Sequence, residues 1–286
     1  MDIIYSNKNF ASISVGFTSA IGEHVSGFET ASQVSLPDLQ RGALQLLKND
    51  LDNGNVFSKG RALYPMVGSA ASCHKLNFLN YLDNDAAYRI TFSADSAAAH
   101  VDKGYKLAAA SSRFGNTHYT LSGDINGFFA FAYITEPESA ISSCILGARS
   151  NTPNSSLIFL SSHYNLASAG NALTGRLYDG VANTTVDGAR SADAIRTTGL
   201  IGVSIIDGVV ELYSNKAVVA TVSNVPPPLV GGVTPVALGA YTHYQNGTSL
   251  FSDATIGSAG FFTDVTKSDV SVIIDAVIRF NQTLSR

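Results

Sequence analysis

The sequence predicts a mainly β protein, an antiparallel β-sandwich with a helix near each end of the chain. Three observations point there. From about residue 61 onward, short runs rich in β-branched and aromatic residues recur at 88–92, 128–134, 156–160, 199–206, 209–213, 217–222, 236–241 and 259–262. Between them stand Asn126-Gly127, Asp179-Gly180, Asp187-Gly188, Asp207-Gly208 and Asn246-Gly247. Such dipeptides tolerate the positive φ that tight hairpins require. Pro226-Pro227-Pro228 has no N–H to give a ladder, so it marks a loop at a sheet edge. Many short strands at regular spacing argue for a sandwich or a barrel.

The elements follow in order. Residues 1–33 read as an extended N-terminal arm. Within it, Asn9-Phe10-Ala11-Ser12-Ile13-Ser14-Val15-Gly16-Phe17 alternates with period two, as a half-buried strand does. The arm is either a flexible leader or a strand donated to a neighbouring subunit. Residues 34–60 read as an amphipathic helix and linker. Ser35 is a good N-cap, Pro37 suits the first turn, and Asp38 stands at the capping-box position. Leu36, Leu39, Ala43, Leu46, Leu47 and Leu51 form an apolar stripe, and Asn53-Gly54 supplies a stop. This helix packs either on the sandwich or on its copies. Residues 61–286 then form the sandwich, closed by a helix over 268–284. Its N-cap is expected at Ser268, with Val270, Ile273, Ile274, Val277, Ile278 and Leu284 on one face.

Composition bounds function. The chain has 286 residues, 45% apolar and only 14% charged, against a usual charged share of about 25%. Low charge fits extensive contact with other proteins. The net charge is −4 and no Lys/Arg cluster occurs, which excludes a phosphate-neutralising nucleic-acid face. Met1-Asp2-Ile3-Ile4 lacks the basic start of a secretory signal. No run approaches the ~18–20 apolar residues of a membrane helix. Synthesis in a cytoplasm without membrane insertion is therefore expected. Cys73 and Cys144 are too few for a disulfide framework and read as small buried hydrophobes.

The candidate sites are sparse. Glycoside hydrolysis needs two carboxylates flanking the scissile bond. The five glutamates, Glu23, Glu29, Glu136, Glu138 and Glu211, show no such arrangement, so no catalytic residue is assigned. Three similar tripeptides recur: Thr117-His118-Tyr119, Ser162-His163-Tyr164 and Thr242-His243-Tyr244. His118, Tyr119, His163, Tyr164, His243 and Tyr244 are thus the candidate glycan-binding residues, rings stacking on sugars and polar atoms reading their edges. The alternative is that Thr and Tyr are simply good strand residues. Asp83-Asn84-Asp85 is the densest oxygen cluster, which makes Asp83 and Asp85 the candidate ligands of a calcium ion. The competing reading is a solvated turn, or Asp85 paired with Arg89. No other cofactor is expected.

The hairpin Val209-Val210-Glu211-Leu212-Tyr213, Ser214-Asn215-Lys216, Ala217-Val218-Val219 and the later Ala237-Leu238-Gly239-Ala240 resemble a concanavalin A-like (laminin-G-type) jelly roll. A second block resembles virion proteins of tailed bacteriophages and prophages. It comprises Arg61-Ala62-Leu63-Tyr64-Pro65-Met66-Val67-Gly68, Cys73-His74-Lys75-Leu76-Asn77-Phe78 and Asp83-Asn84-Asp85-Ala86-Ala87-Tyr88-Arg89, with the ending Gln282-Thr283-Leu284-Ser285-Arg286. The likeness covers roughly residues 60–286. It implies a non-enzymatic virion structural protein: a head or tail fibre, appendage or decoration. Its partners would be other virion proteins (capsid or tail) and copies of itself, a trimer suiting a fibre. The N-terminal segment would attach it. The alternative function is a carbohydrate-binding adsorption module that recognises host surface glycans.

Overall fold

The computed structural model describes residues 21–82, 88–93, 96–120, 127–139, 143–149, 157–166, 170–178, 190–191, 198–223, 234–243 and 247–286. Among them are helices α1 (Glu23–Ser32), α2 (Asp38–Asn53), α3 (Ala71–His74) and α4 (Lys267–Thr283). The strands form two sheets. The back sheet runs β13 (Ala217–Val222), β12 (Val209–Ser214), β11 (Gly199–Ile206), β6 (Phe128–Glu136), β17 (Thr255–Phe262), β4 (Gly104–Lys106), β3 (His100–Val101). Strand β1 (Gly60–Tyr64) also pairs with β17. The front sheet runs β10 (Arg190–Ser191), β9 (Gly170–Tyr178), β8 (Leu157–Leu166), β7 (Leu146–Arg149), β14 (Pro235–Leu238), β5 (Gly115–Thr120), β2 (Thr91–Phe92). Beside β7 lies β15 (Tyr241–His243), parallel to it and paired with β16 (Gly247–Ser249). The fold class is the one expected, a mainly β two-sheet sandwich with a C-terminal helix.

Two cores hold the molecule together. One lies between the sheets and contains Phe128, Ala130, Ala132 and Ile134 from β6. The other lies between the back sheet and the helices and takes the alternate residues Phe129, Phe131 and Tyr133. A strand buried on both faces reads as an unbroken apolar run rather than an alternating one. That is why β6, β11 and β17 carry Phe, Ile, Ala and Gly on successive positions. Helix α4 lays Val270, Ile273, Val277 and Phe280 on this face, and α2 adds Leu44, Leu47 and Leu51.

Local sequence sets the element ends. The β11–β12 hairpin turns at Asp207 and Gly208, with φ of 51° and 71°. Both are positive, as a two-residue type I′ turn demands. Helix α4 starts one residue before Ser268, and its cap is Thr266. Thr266 Oγ1 accepts the Asp269 N–H at 3.3 Å, while the Asp269 carboxylate accepts the Thr266 N–H at 2.7 Å. That reciprocal box needs an acid three residues after the cap, and Ser271 holds that place after Ser268. Likewise α2 is preceded by Pro37 rather than capped at Ser35, and it ends at Gly54 as expected. The expected strand at 236–241 breaks at Gly239, whose φ is 84°; its halves are β14 and β15.

The arm also needs correction. Residues 23–32 are helical, not extended: Val25 and Phe28 of α1 are buried, and Phe28 meets Phe78 edge-on at 5.3 Å. Gly27 allows this docking, because a Cβ there would strike the Tyr81 hydroxyl. Residues 1–20 lie outside the described residues.

The two blocks of the virion resemblance meet in space. Arg286 donates from Nη1 to the carbonyls of Pro65 (3.2 Å) and Gly257 (3.1 Å), and from Nη2 to that of Met66 (2.9 Å). Its Nε donates to the Asp102 carbonyl at 3.0 Å. Burial draws this guanidinium down to about 10, partly opposed by Asp102. Asn77 ties backbone together in the same way. Its Nδ2 donates to the Arg61 carbonyl, and its Oδ1 accepts from the Leu63 and Leu79 amides. Beside the clasp, His74 and His100 are buried with their Nδ1 atoms 3.0 Å apart. The motif residues thus close the sandwich. Cys73 and Cys144 are both buried free thiols, as expected, and burial pushes Cys73 up to about 12.

Candidate functional site

At the β2–β5 end of the front sheet, side chains such as Thr91 and His118 reach solvent. Along β5 the residues alternate: Gly115, Thr117 and Tyr119 are buried, while Asn116, His118 and Thr120 point outward. The ladder is irregular here. Thr120 pairs with Pro235 and Asn116 with Ala237, so β5 spends four steps where β14 spends two. The extra residues form a bulge, which bends a strand and re-aims its side chains.

His118 stands at that bulge with φ of 56°, a region that costs a non-glycine residue about 1–2 kcal/mol. Local hydrogen bonds hold it there. The His118 amide donates to Asn116 Oδ1 at 2.8 Å. Thr117 Oγ1 donates to the Val236 carbonyl at 2.7 Å and accepts the Tyr119 amide at 3.3 Å. The exposed His118 ring reaches across to β2, where Nε2 meets Thr91 Oγ1 at 2.8 Å. With its carbonyl oxygen taken by His118, Asn116 has two amide hydrogens left to offer. The result is a polar row of Thr91, Asn116, His118 and Thr120 on one sheet face.

Tyr119 is a correction to the expected rim. It is 6% exposed and stacks on Phe261 at 4.9 Å, with Tyr88 edge-on at 5.2 Å. Burial accordingly raises its phenol above the ordinary range. Its ring belongs to the core between the sheets and does not face a ligand. Alternation accounts for this: His118 points out, so its neighbour points in.

His163 and Tyr164 lie on β8, and His243 ends β15. His243 pairs with Arg149, which pairs with Leu157 at the start of β8. His163 is six residues further along that strand, about 20 Å away. The three His-Tyr pairs therefore do not converge on one rim. The side chains of His163, Tyr164 and His243 lie outside what is described, as do all of Tyr244, Asp83 and Asp85. Among the described residues, no group of three or more His, Cys, Asp or Glu could hold a metal ion. Nor, among them, is any helix long and apolar enough to cross a membrane.

Four of the glutamates serve structural contacts, Glu29 by accepting the Leu36 amide and pairing with Arg41. Glu138 is 1% exposed and accepts from the hydroxyls of Ser143 and Ser252. Glu136 accepts from Thr255 Oγ1 and Lys103 Nζ, and these hydrogen bonds lower its pKa. Glu211 accepts from Lys267 and Tyr213. Sequence reasoning missed Thr91 and Asn116. The signal was present in Asn116, His118 and Thr120, three polar residues at alternate positions of one strand.

No family model matches this chain, and no curated protein matches it. Solved structures similar to it include domain 4 of AbnA, a GH43 extracellular arabinanase from Geobacillus stearothermophilus, in complex with arabinotriose. That domain is 14% identical, with 75% of this chain and 98% of that one covered and a TM-score of 0.44. Another is the CBM40 of the Ruminococcus gnavus IT-sialidase bound to α2,3-sialyllactose, 16% identical over 55% of this chain and 91% of that one, with a TM-score of 0.40. A heptameric SAP-like pentraxin from Limulus polyphemus is 13% identical over 53% of this chain and 70% of that one, with a TM-score of 0.35.

Proposed function

We propose that this chain is a carbohydrate-binding β-sandwich that holds a glycan on the outer face of its front sheet and performs no reaction on it. One observation carries the reading. An exposed histidine is kept in a costly backbone conformation at a bulge, its ring tethered to Thr91 and its amide to Asn116. Strain of this kind clusters at binding sites, where the surroundings over-determine it. The hydroxyls of Thr91 and Thr120, the Asn116 amide and the free His118 ring nitrogen supply the mixed donors and acceptors that sugar hydroxyls need. Among the described residues α2 and α4 pack on the back sheet, which leaves the outer face of β5 to a ligand.

The test is calorimetric titration of the full chain against purified bacterial surface polysaccharides, with His118→Ala and Asn116→Ala beside the parent. Saturable binding, weakened tenfold or more by either substitution, is expected. No binding across a broad panel would overturn the proposal, and binding unchanged in both variants would remove this site. Repeating the titration with EDTA checks the calcium expectation at Asp83 and Asp85.

A second reading follows the resemblance to phage virion proteins. Since α1 packs into the body, that reading assigns attachment to residues 1–20. On that reading, phage particles assembled with a chain lacking residues 1–20 would lose the protein while its melting temperature stayed put.

A further inference from the structure

The ends of the two sheets are not alike. The front sheet ends in β10 and β2, two residues each, and one end of the back sheet is β3, also two residues. The other end is β13, six residues long, which among the described residues pairs with β12 alone. Among those residues β1 likewise pairs only with β17, but its outer side is satisfied: Leu63 donates to Asn77 and accepts from the Phe78 amide. Short terminal strands protect a sheet from unwanted pairing, as do charges and proline. Strand β13 is six residues long with neither charge nor proline, and its one irregularity is a bulge against β12 between Leu212 and Tyr213. The strand reads Ala217-Val218-Val219-Ala220-Thr221-Val222, and Val218 is 49% exposed.

A groove of about 390 Å³ runs beside this edge on the helix side. Val218, Tyr213 and Ile274 contribute its apolar surface. The ion pairs Lys216–Asp275 and Glu211–Lys267 flank it. A strand laid along β13 would direct every second side chain into that groove. Backbone ladder and side-chain pocket together make a site for an extended peptide.

We propose that β13 accepts a strand, and that the strand is the segment 9–17 of a second copy of this chain. That segment carries no charge, and from Ala11 onward it alternates Ala11, Ile13, Val15 and Phe17 against Ser12, Ser14 and Gly16, with Phe10 at the outer end of the polar face. One apolar face for the groove and one small polar face for solvent is what the site requires. The chain's own β13 is out of reach. Helix α1 begins at the opposite end of the back sheet: His24 Nε2 lies 2.7 Å from the Phe78 carbonyl oxygen, and the Phe78 amide donates to the Leu63 carbonyl on the outer side of β1, the strand beyond β17. Six strand spacings of about 4.8 Å, counted from β13 to the Phe78 segment, put roughly 29 Å between those ends. The residues from Phe17 to Glu23 span at most about 22 Å even when fully extended. The donor is therefore a neighbour. If each copy both gives and takes a strand, the contact closes as a dimer or a small ring.

Full-length Ile13→Cys and Val218→Cys proteins, mixed and oxidised, test this directly. A disulfide between the two different chains is expected, together with a concentration-dependent oligomer by light scattering. Val218→Lys, which places a charge on the edge, should shift that oligomer to monomer without lowering the melting temperature. Cross-linking only within a chain carrying both substitutions would overturn the proposal. So would no cross-linking, or an oligomer that survives Val218→Lys.

Discussion

The two sheets share one core and differ in what lies on their far faces. The back sheet's far face is roofed by α2 and α4, and its central strands are apolar at successive positions. At the β2–β5 end, the front sheet's far face meets solvent. There β5 alternates Asn116, His118 and Thr120 outward with Thr117 and Tyr119 inward. The lesson concerns where function can sit. A face sealed by Phe129, Phe131 and Phe262 under a helix keeps its polar groups, such as Asn281 and Ser258, bonded to each other and out of water. A face with one side in water can keep a strained histidine and a row of hydrogen-bonding groups.

Cutting into the roofed face should have the largest effect. Phe131→Ala removes a fully buried ring between β6 and the helices, and the expected loss is about 3–5 kcal/mol in urea unfolding. Thr91→Ala on the open face should change stability by less than about 0.5 kcal/mol. Similar losses at both positions would mean the front face is covered after all.

Next comes the clasp that ties the roof to the sandwich. Arg286→Ala leaves the carbonyls of Pro65, Met66, Asp102 and Gly257 without their donor. The expected destabilisation is about 3 kcal/mol, since buried acceptors without partners cost about 1–3 kcal/mol each and water will reach some of them. A melting temperature unchanged by this substitution would show the guanidinium to be idle.

Acid should act through the same corner. Burial, then the facing His100, then Arg286 hold His74 well below its ordinary value of 6.5. With their Nδ1 atoms 3.0 Å apart, the two rings have room for one hydrogen between them. The unfolded chain therefore takes up protons first as pH falls. This contribution to stability is complete above about pH 6.5 and declines below it, at about 1.4 kcal/mol per pH unit for each proton of difference. Urea midpoints between pH 7.5 and 5 should show that decline, and His74→Gln should flatten it. Equal slopes in both proteins would assign the acid sensitivity elsewhere.

The smallest effect belongs to the open face. His118→Gly relieves the positive φ and should raise stability by up to about 1 kcal/mol. The same change should abolish the proposed glycan binding. Lower stability, or binding retained, would break the link between strain and function at this position.

Much of the roofed half was legible in the sequence. Strand bounds at 199–206 and 217–222 match β11 and β13 because turn chemistry fixes the hairpins on either side of β12: Asp207, Gly208 and Asn215 all take positive φ. Helices α2 and α4 appear because their apolar period is helical: Ala43, Leu47 and Leu51 of the expected stripe are buried, as are Val270, Ile273 and Val277, whereas Leu39 is 48% exposed and the buried Leu44 lies off the expected stripe. Helix α1 escaped notice because only Val25 and Phe28 mark its buried face, and Gly27 argues against a helix until Tyr81 is seen above it. The open half was harder to read. The tripeptides around His118 look alike as strings, yet alternation buries Tyr119 and exposes His118, and strand register keeps His163 far from His243. A bulge is invisible to a pattern of single residues, because it is a property of two strands compared.

The Arg286 clasp also bears on how this protein is made. A ribosome delivers the chain from residue 1 onward. The Pro65 and Met66 carbonyls emerge some 220 residues before the side chain that will satisfy them. Until then β17 and α4 are absent, and the edge of β6 that β17 will occupy stands open in a nascent sandwich. Completion is therefore a late event, gated by synthesis rather than by local propensity. A cell producing this protein would have to shield a half-built sheet while the stretch between Glu136 and Thr255 is made.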